Sequence, residues 1–217
     1  MIASDHEIRG LLDGGEFVLE PREEALIQPS SVDLRLGRNV RRLQGGREVL
    51  NLAGDLDEGE AYADLEIPVE GVILAAGEAL LGQTFERMTL PATFQGVIEQ
   101  RSSLVRLGVQ VTSSLVNPGY VGNLPLLIVN LGRRPILLHS EMPVCQLVLH
   151  HLTNRPGVTY PEKPGAKYQG ERMITASRVA EDVRRWSRPP SLSLVDPSQA
   201  SSFRKEAIFE DDDDEIL

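Results

Sequence analysis

The chain has 217 residues, 41% of them hydrophobic and 25% charged, which is enough for one main domain with a sizeable core. Its formal net charge of −10 comes without a basic stripe, which excludes a nucleic-acid-binding protein, and no apolar run reaches the roughly eighteen residues of a membrane-spanning helix. The single cysteine, Cys145, excludes an internal disulfide and a cysteine-based zinc site. Because acids stand at the N-terminus where a signal peptide would be basic, we expect a cytoplasmic protein.

The first predicted element is a short amphipathic helix at the N-terminus. Its signals are a cap at Ser4 or Asp5, apolar residues at Ile8, Leu11 and Leu12, and a stop at Gly14. Apolar residues at this spacing share one face of a helix, so this face should pack against the rest of the domain.

A strand-rich body follows and extends to about residue 155. Runs rich in Val, Ile and Leu are separated at short spacing by turns that contain Pro, Gly and Asn. This pattern predicts a mainly β domain, as a sandwich, barrel or jelly roll, rather than alternating βαβ units. The alanines and glycines in "LAAGEALLG" (74–82) would also allow a helix at that point.

The C-terminal part has a different composition. A short helix is predicted within "ASRVAEDVRRW" (176–186), and from residue 187 the chain is rich in Pro and Ser. Residues 206–217 then carry seven acids and no base. We therefore divide the chain into a domain at 1–179 and an extension at 180–217, whose acidic tail we interpret as solvated or as the contact for a partner protein.

The strongest candidate for chemistry is "RSSLVRLG" (101–108), in which two serines stand between two arginines. One helical turn here would direct backbone N–H groups and hydroxyls toward an anion, and both arginines could add charge-assisted contacts to phosphate oxygens. The same residues also fit a capped turn whose arginines face solvent. A serine hydrolase is disfavoured, because no G-x-S-x-G surrounds the serines and the histidines lack a diagnostic spacing.

The adjacent pair His150 and His151 does not predict a metal site. Neighbouring residues of a strand point to opposite faces, so we expect one exposed and one packed histidine. The zinc deaminase signature, H-x-E with P-C-x-x-C, is absent from the sequence. We therefore expect neither zinc nor any other protein-bound metal.

Six segments in one order resemble the superfamily of dCTP deaminases and trimeric dUTPases. They are "QPSSVDLRLG" (28–37), "GEALLGQTFERMTLP" (77–91), "RSSLVRLG" (101–108), "NPGYVGNLPLLIVNLG" (117–132), "PILLHSEMPVCQL" (135–147) and "GAKYQG" (165–170). The resemblance covers about residues 5–179 and is closest to the deaminases. It implies a distorted β jelly roll, the dUTPase-like β-clip, with a short N-terminal helix and small C-terminal helical elements. It also implies a homotrimer with sites between subunits and a C-terminal segment that closes over the nucleotide.

The resemblance also assigns substrate contacts. The triphosphate would lie against "RSS" and the second arginine, the base and sugar against the turn and strand that follow, and the C-terminal segment over both. The implied substrate-binding residues are Arg101, Ser102, Ser103, Arg106, Asn117, Tyr120, Leu126, Gln146, Tyr160, Lys167 and Gln169. Among these, Ser102 and Arg106 would also support catalysis. Magnesium would arrive bound to the triphosphate, which suits its preference for phosphate oxygens and waters.

Two positions depart from the family pattern "DPG…G…LE…N". Asn117 stands where the pattern has an acid, and Leu127 stands where it has the Glu that serves as general base for the attack of water on C4 of cytosine. Asparagine can form hydrogen bonds but cannot act as a base, and leucine exchanges no proton. A displaced acid, with Glu99 the nearest in sequence, could compensate. Glu141 also replaces the usual Gly of a "PGM" turn.

Three functional hypotheses follow from the resemblance and its departures. The first is hydrolytic deamination of dCTP to dUTP, a step in the supply of dUMP and dTTP. The second is a nucleotide-binding or regulatory protein that has lost turnover. The third is dUTP diphosphatase activity, which Tyr120 in "GYVG" favours and Asn117 disfavours.

Overall fold

The computed structural model describes residues 1–46, 50–54 and 58–186. The Pro/Ser-rich and acidic tail predicted from the sequence lies outside these residues. Within them, the chain forms two units, one of residues 1–46 and 58–176 and the other of residues 50–54 and 177–186. None of the helices in the described ranges is long and apolar enough to cross a membrane.

Ser4 caps the N-terminal helix α1 (Asp5–Asp13), and its hydroxyl oxygen accepts a hydrogen bond from the backbone N–H of Glu7 at 3.4 Å. The helix ends at Gly14, as predicted. Ile8 is fully buried, so α1 packs its apolar face into the core. The remaining helices are a 3₁₀ turn (Glu24–Leu26), α2 (Glu58–Ala61), α3 (Ser102–Val105) and α4 (Val179–Trp186).

The first unit is built of short strands, as the Val, Ile and Leu runs predicted. In chain order they are β1 (Val18–Glu20), β2 (Ile27–Gln28), β3 (Ser31–Arg35), β4 (Asn39–Leu43), β5 (Tyr62–Glu66), β6 (Val72–Leu74), β7 (Ala79–Gln83), β8 (Arg87–Thr89), β9 (Phe94–Gln100), β10 (Val109–Thr112), β11 (Val121–Gly122), β12 (Pro125–Asn130), β13 (Ile136–Leu138) and β14 (Pro143–His151).

Four antiparallel sheets assemble from these strands. The largest has the order β10-β12-β7-β4-β5, and a second has the order β2-β3-β14-β9. A three-stranded sheet, β1-β8-β11, and the pair β13-β6 complete them. Because neighbours in each sheet are mostly distant in sequence, the fold is a jelly-roll-like arrangement rather than a series of hairpins.

Strand β7 replaces the helix that "LAAGEALLG" would have allowed. The chain turns at Gly77, whose φ is +79°, and then enters the large sheet between β12 and β4. Gly82 lets the backbone of β7 pass close to the core, since a Cβ at this position would lie 2.9 Å from Cδ1 of Leu36. The glycine thus serves close packing of a strand, a role that local helix propensity does not reveal.

Alternation along β12 separates two faces. Leu126, Ile128 and Asn130 are buried in the core, whereas Pro125 and Leu127 are only half-buried on the opposite face. Because side chains alternate between the two faces of a strand, position 127 lies outside the core, where a functional side chain would be expected.

The second unit is small in its described part. Helix α4 follows Ser177, whose hydroxyl oxygen accepts a hydrogen bond from the backbone N–H of Val179 at 3.3 Å. Arg178 and Glu181 form an ion pair at 2.7 Å. The short helix predicted from "ASRVAEDVRRW" is confirmed.

Candidate functional site

Helix α3 carries the two serines, and Arg101 is the residue at its N-cap. The backbone carbonyl of Arg101 accepts hydrogen bonds from the N–H groups of Leu104 and Val105, at 3.0 and 3.2 Å. Leu104 is buried and anchors the turn, while Ser102 and Ser103 are exposed. The turn thus presents both hydroxyls to solvent, and Arg106 at its C-terminal end is exposed as well.

The Arg101 guanidinium binds groups on the neighbouring strands. Its Nη2 lies 3.2 Å from Oδ2 of Asp33 on β3, and its Nη1 donates a hydrogen bond to the carbonyl of Pro143 at 3.1 Å. The side-chain amide of Gln146 on β14 donates to the other Asp33 oxygen at 3.0 Å. Two predicted residues, Arg101 and Gln146, therefore meet at Asp33, which sequence reasoning missed.

A cavity of about 270 Å³ opens beside the turn that leads into β11. Three predicted residues, Asn117, Tyr120 and Tyr160, line it, and Tyr168, next to the predicted Lys167, was missed. The full lining is Ser114, Leu115, Val116, Asn117, Tyr120, Leu124, Pro125, Tyr160 and Tyr168. None of these nine side chains is a carboxylate, an imidazole or a basic group, so the cavity wall is uncharged.

Tyr120 forms the buried side of this wall. Its hydroxyl donates a hydrogen bond to the carbonyl of Asn123 at 2.7 Å, and its ring centroid lies 6.0 Å from that of Tyr160. Burial raises the pKa of Tyr120 well above its usual range, with smaller contributions from the nearby charge of Glu171 and from Tyr160. The phenol therefore stays protonated near neutral pH and cannot accept a proton from water.

Residues 159–172 lie along the turn at 117–123 of the same chain. The N–H of Tyr160 donates to the carbonyl of Pro118 at 3.0 Å, and the N–H of Gly170 donates to the carbonyl of Val121 at 2.7 Å. The N–H of Asn123 in turn donates to the carbonyl of Glu171 at 2.9 Å. We call residues 159–172 the C-terminal strap, because these bonds hold it against the cavity wall.

The predicted strap residue Gln169 forms a hydrogen bond within the chain. Oε1 of Gln169 accepts a hydrogen bond from the N–H of Val121 at 3.3 Å, so this amide stabilises the strap. Lys167 is half-buried. Glu171, which also belongs to the strap, accepts hydrogen bonds at Oε1 from the N–H and hydroxyl of Thr175, at 2.8 and 2.6 Å. Its Oε2 is buried and has no hydrogen-bond partner within the part of the chain that the structure describes.

Gly122 makes the close contact between strap and turn possible. A Cβ at this residue would lie 2.7 Å from the hydroxyl oxygen of Tyr120 and 2.8 Å from the carbonyl oxygen of Glu171. Its φ of +147° also disfavours any residue with a side chain. Gly122, the last residue of "GYVG", is therefore sterically required for the strap to pack against the turn.

Asn117 and Leu127, the two positions that depart from the family pattern, do not line the same cavity. Asn117 lines the cavity, whereas Leu127 lies on the half-buried face of β12, opposite Thr112 and Leu81. The Leu126 side chain is fully buried in the core, so it leaves only backbone groups for a ligand. The four residues of the "RSS…R" turn do not line the cavity either.

No three His, Cys, Asp or Glu side chains of residues 1–46, 50–54 and 58–186 are grouped so as to hold a metal ion. The expectation of one exposed and one packed histidine is wrong, because His150 and His151 are both half-buried. His151 stacks on Phe94 and its Nε2 lies 2.9 Å from Oε1 of Glu7. Cys145 is buried, and burial raises the pKa of its thiol to about 12.

Comparison with known proteins shows what the chain is similar to. The family model for dCTP deaminase-like proteins matches residues 2–152. The dCTP deaminase, dUMP-forming, of Corynebacterium glutamicum is 37% identical over 183 residues, which cover 82% of this chain and 96% of that protein. The protein of the same description from Methanosphaerula palustris is 35% identical over 187 residues, covering 85% and 98%.

One solved structure supports the fold. The 2'-deoxycytidine 5'-triphosphate deaminase from Agrobacterium tumefaciens matches with a TM-score of 0.56 at 23% identity. The match covers 68% of this chain but only 46% of that longer chain. At this identity the likeness shows the fold alone, and it confirms the mainly β, dUTPase-like fold expected from the sequence.

Proposed function

The chain belongs to the dCTP deaminase-like family, and from this premise we propose that it binds a pyrimidine deoxynucleoside triphosphate without deaminating it by the family's general-base route. The observation that carries this proposal is the uncharged cavity. A hydrolytic deamination needs a group that takes a proton from water and returns it as ammonia leaves. The nine residues around the cavity supply no such group, and position 127 carries a leucine.

In this proposal the base and sugar occupy the cavity, where Asn117 supplies an amide and Tyr120 and Tyr160 supply aromatic faces. The triphosphate lies against α3, where Ser102, Ser103 and Arg106 are exposed. Magnesium enters as part of the substrate, held mainly by phosphate oxygens and waters. The predicted contacts of Lys167 and Gln169 remain part of this assignment.

We further propose that the chain works as a homotrimer, as the family resemblance implies. Supporting this, the outer face of the large sheet carries a row of half-buried residues that includes Leu81 and Leu127. A second subunit would cover these two leucines. Light scattering should then give about three times the chain mass of 23.9 kDa.

Deamination of dCTP with a displaced acid is the second candidate, and Glu171 is the observation that favours it. Among the described residues its Oε2 is buried without a hydrogen-bond partner, and its charge contributes to the raised pKa of Tyr120, which lines the cavity. The relatives from Corynebacterium and Methanosphaerula are described as dUMP-forming dCTP deaminases, so the product tested should include dUMP. The same assay covers dUTP diphosphatase activity.

One experiment separates the two candidates. The purified protein is incubated with magnesium and dCTP, dUTP or the monophosphates, the products are separated by chromatography, and ammonia is measured. Binding of the same nucleotides is measured by calorimetry. Triphosphate binding without turnover supports the first candidate. Release of ammonia from dCTP would refute it and establish the second, and absence of binding to any of these nucleotides would refute both.

A further inference from the structure

Asp33 is a buried carboxylate at the meeting point of three elements. It lies on β3 and is only 3% exposed. Its Oδ2 lies 3.2 Å from Nη2 of Arg101 and accepts a hydrogen bond from the amide of Gln28 at 3.3 Å, while Oδ1 accepts from the amide of Gln146 at 3.0 Å. Both of its oxygens are therefore engaged by side chains from β2, β14 and the start of α3.

A carboxylate in this position is costly unless charge and hydrogen bonds compensate it. The two glutamine amides satisfy its lone pairs, but both are neutral. Arg101 is the cation that pairs with it, and the Arg101 side chain is itself 29% exposed. Asp33 is thus a buried carboxylate that pairs with a guanidinium at the surface.

Arg101 links the Asp33 carboxylate to α3 through its own hydrogen bonds. Its backbone carbonyl starts the helical turn by accepting the N–H groups of Leu104 and Val105, and its Nη1 is tied to the carbonyl of Pro143. These contacts fix the orientation of the guanidinium. Ser102 and Ser103 come directly after Arg101 in the chain. A guanidinium has five N–H donors, so contacts to Asp33 and Pro143 leave others for an anion.

From this geometry we infer that Asp33 is a positioning residue that acts through Arg101 and sets the direction in which α3 meets the triphosphate. The inference rests on the proposed placement of the triphosphate at α3. Gln28 and Gln146 orient the Asp33 carboxylate, so Gln146 acts on the phosphates indirectly. Asp33 itself touches no part of the nucleotide.

A double-mutant cycle with Asp33→Asn and Arg101→Ala tests this inference. The ligands are α,β-imido-dUTP, which neither deamination nor α–β hydrolysis can consume, and dUMP, each with magnesium. Asp33→Asn should weaken binding of the triphosphate analogue by about tenfold or more and change dUMP affinity by less than about twofold. In the Arg101→Ala background, Asp33→Asn should cause no further loss, because the residue through which it acts is gone.

Asp64→Asn is the matched control. Asp64 also pairs with an arginine across neighbouring strands, at 2.7 Å from Nε of Arg41, but it is exposed. This control should bind both ligands like the wild type. Thermal unfolding of every variant shows which of them fold.

The outcomes distinguish the inference from the function on which it rests. A wild-type protein that binds the triphosphate analogue no better than dUMP refutes the placement of the triphosphate. A wild-type preference that Asp33→Asn leaves intact, or that falls by the same factor with and without Arg101, refutes the positioning role. Should Asp33→Asn fail to fold, Gln146→Met, which removes one donor to Asp33 at similar volume, takes its place. A selective loss of triphosphate affinity in that variant supports the role, and unchanged affinity overturns it.

Discussion

Leu127 lies directly opposite Leu81 in the antiparallel pair of β12 and β7, and opposite Thr112 on the other side. The side chain at this position thus lies between two uncharged neighbours on the outer face of the large sheet. A glutamate could occupy the same position without entering the core, because Leu127 is only half-buried. The leucine at this position therefore supplies no proton acceptor and is compatible with the sheet.

Restoring both acids should create or raise deaminase activity. A positioned general base contributes about 10²- to 10⁴-fold to a rate, so Leu127→Glu combined with Asn117→Asp should release ammonia from dCTP measurably faster than the wild type. The measurement is ammonia release at saturating dCTP with magnesium. Val129→Glu with Asn117→Asp is the control, because Val129 shares the face and strand of Leu127. Equal rates in both double variants would show that position 127 has no special access to the base.

Arg106→Ala should weaken triphosphate binding whether or not the protein turns over nucleotide. A charge-assisted contact to a phosphate contributes enough that its loss lowers affinity by about ten- to a hundredfold, while affinity for the nucleoside stays unchanged. Calorimetry with dUTP and deoxyuridine measures both. Arg22→Ala is the control, since Arg22 is partly exposed and pairs with Asp13. Unchanged dUTP affinity in Arg106→Ala would remove this arginine from the phosphate assignment.

Gly122→Ala should detach the C-terminal strap. The new methyl group would meet the hydroxyl of Tyr120 and the carbonyl of Glu171 at less than van der Waals distance, so the free energy of unfolding should fall by about 1 to 3 kcal/mol. Urea denaturation measures the fall, and limited proteolysis should cut within residues 159–172. Gly77→Ala isolates the backbone cost, because Gly77 also has positive φ but a Cβ there meets nothing within 4 Å. Equal losses in the two variants would contradict the steric argument.

Glu141→Gly should be more stable than Glu141→Ala. Glu141 has a φ of +63°, a conformation that costs a residue with a side chain about 1 kcal/mol. Both variants lose the surface ion pair with Arg38, whose closest atoms are 2.8 Å apart, so the difference between them reports the backbone. Urea denaturation at one pH gives that difference. An alanine variant as stable as the glycine variant would mean that the left-handed conformation is not strained here.

Stability should fall at alkaline pH, partly through Cys145. Burial raises the pKa of its thiol to about 12, whereas a thiol in the unfolded chain ionises near pH 8.5 or so. Since the unfolded chain loses this proton first, the free energy of unfolding decreases as pH rises through that interval. Tyr120 acts in the same direction, because burial also raises its pKa.

Urea denaturation between pH 8 and pH 11 or so measures this slope. Cys145→Ala should lower stability at pH 8 by leaving a small cavity, yet show a shallower decline with pH. A slope identical to that of the wild type would show that the thiol is accessible in the folded state.

The sequence predicted most of the secondary structure, because the signals for helices and strands lie in neighbouring residues. Ser4 and Gly14 bound the first helix, and the β-branched runs became strands. The alternative helix at 74–82 was wrong because Gly82 serves the packing of β7 on Leu36, a contact between distant parts of the chain.

Predictions of the site were limited because its contacts join residues that are distant in sequence. Resemblance led to Asn117, Tyr120 and Tyr160, and the structure brings these three to one cavity. Asp33 was missed, since its partners Gln28, Arg101 and Gln146 come from separate strands and a turn, and no spacing in the sequence connects them. The engaged amide of Gln169 likewise depends on how the strap lies against Val121, which only the folded chain defines.

The aromatic lining of the cavity has an optical consequence. Three of the four tyrosines of the chain, Tyr120, Tyr160 and Tyr168, surround this one space. Their near-ultraviolet absorbance should therefore respond to a ligand that enters it, and a difference spectrum corrected for the ligand's own absorbance should report occupancy without any label. The remaining tyrosine, Tyr62, lies beneath the Arg41 guanidinium and contributes a background that the ligand leaves constant.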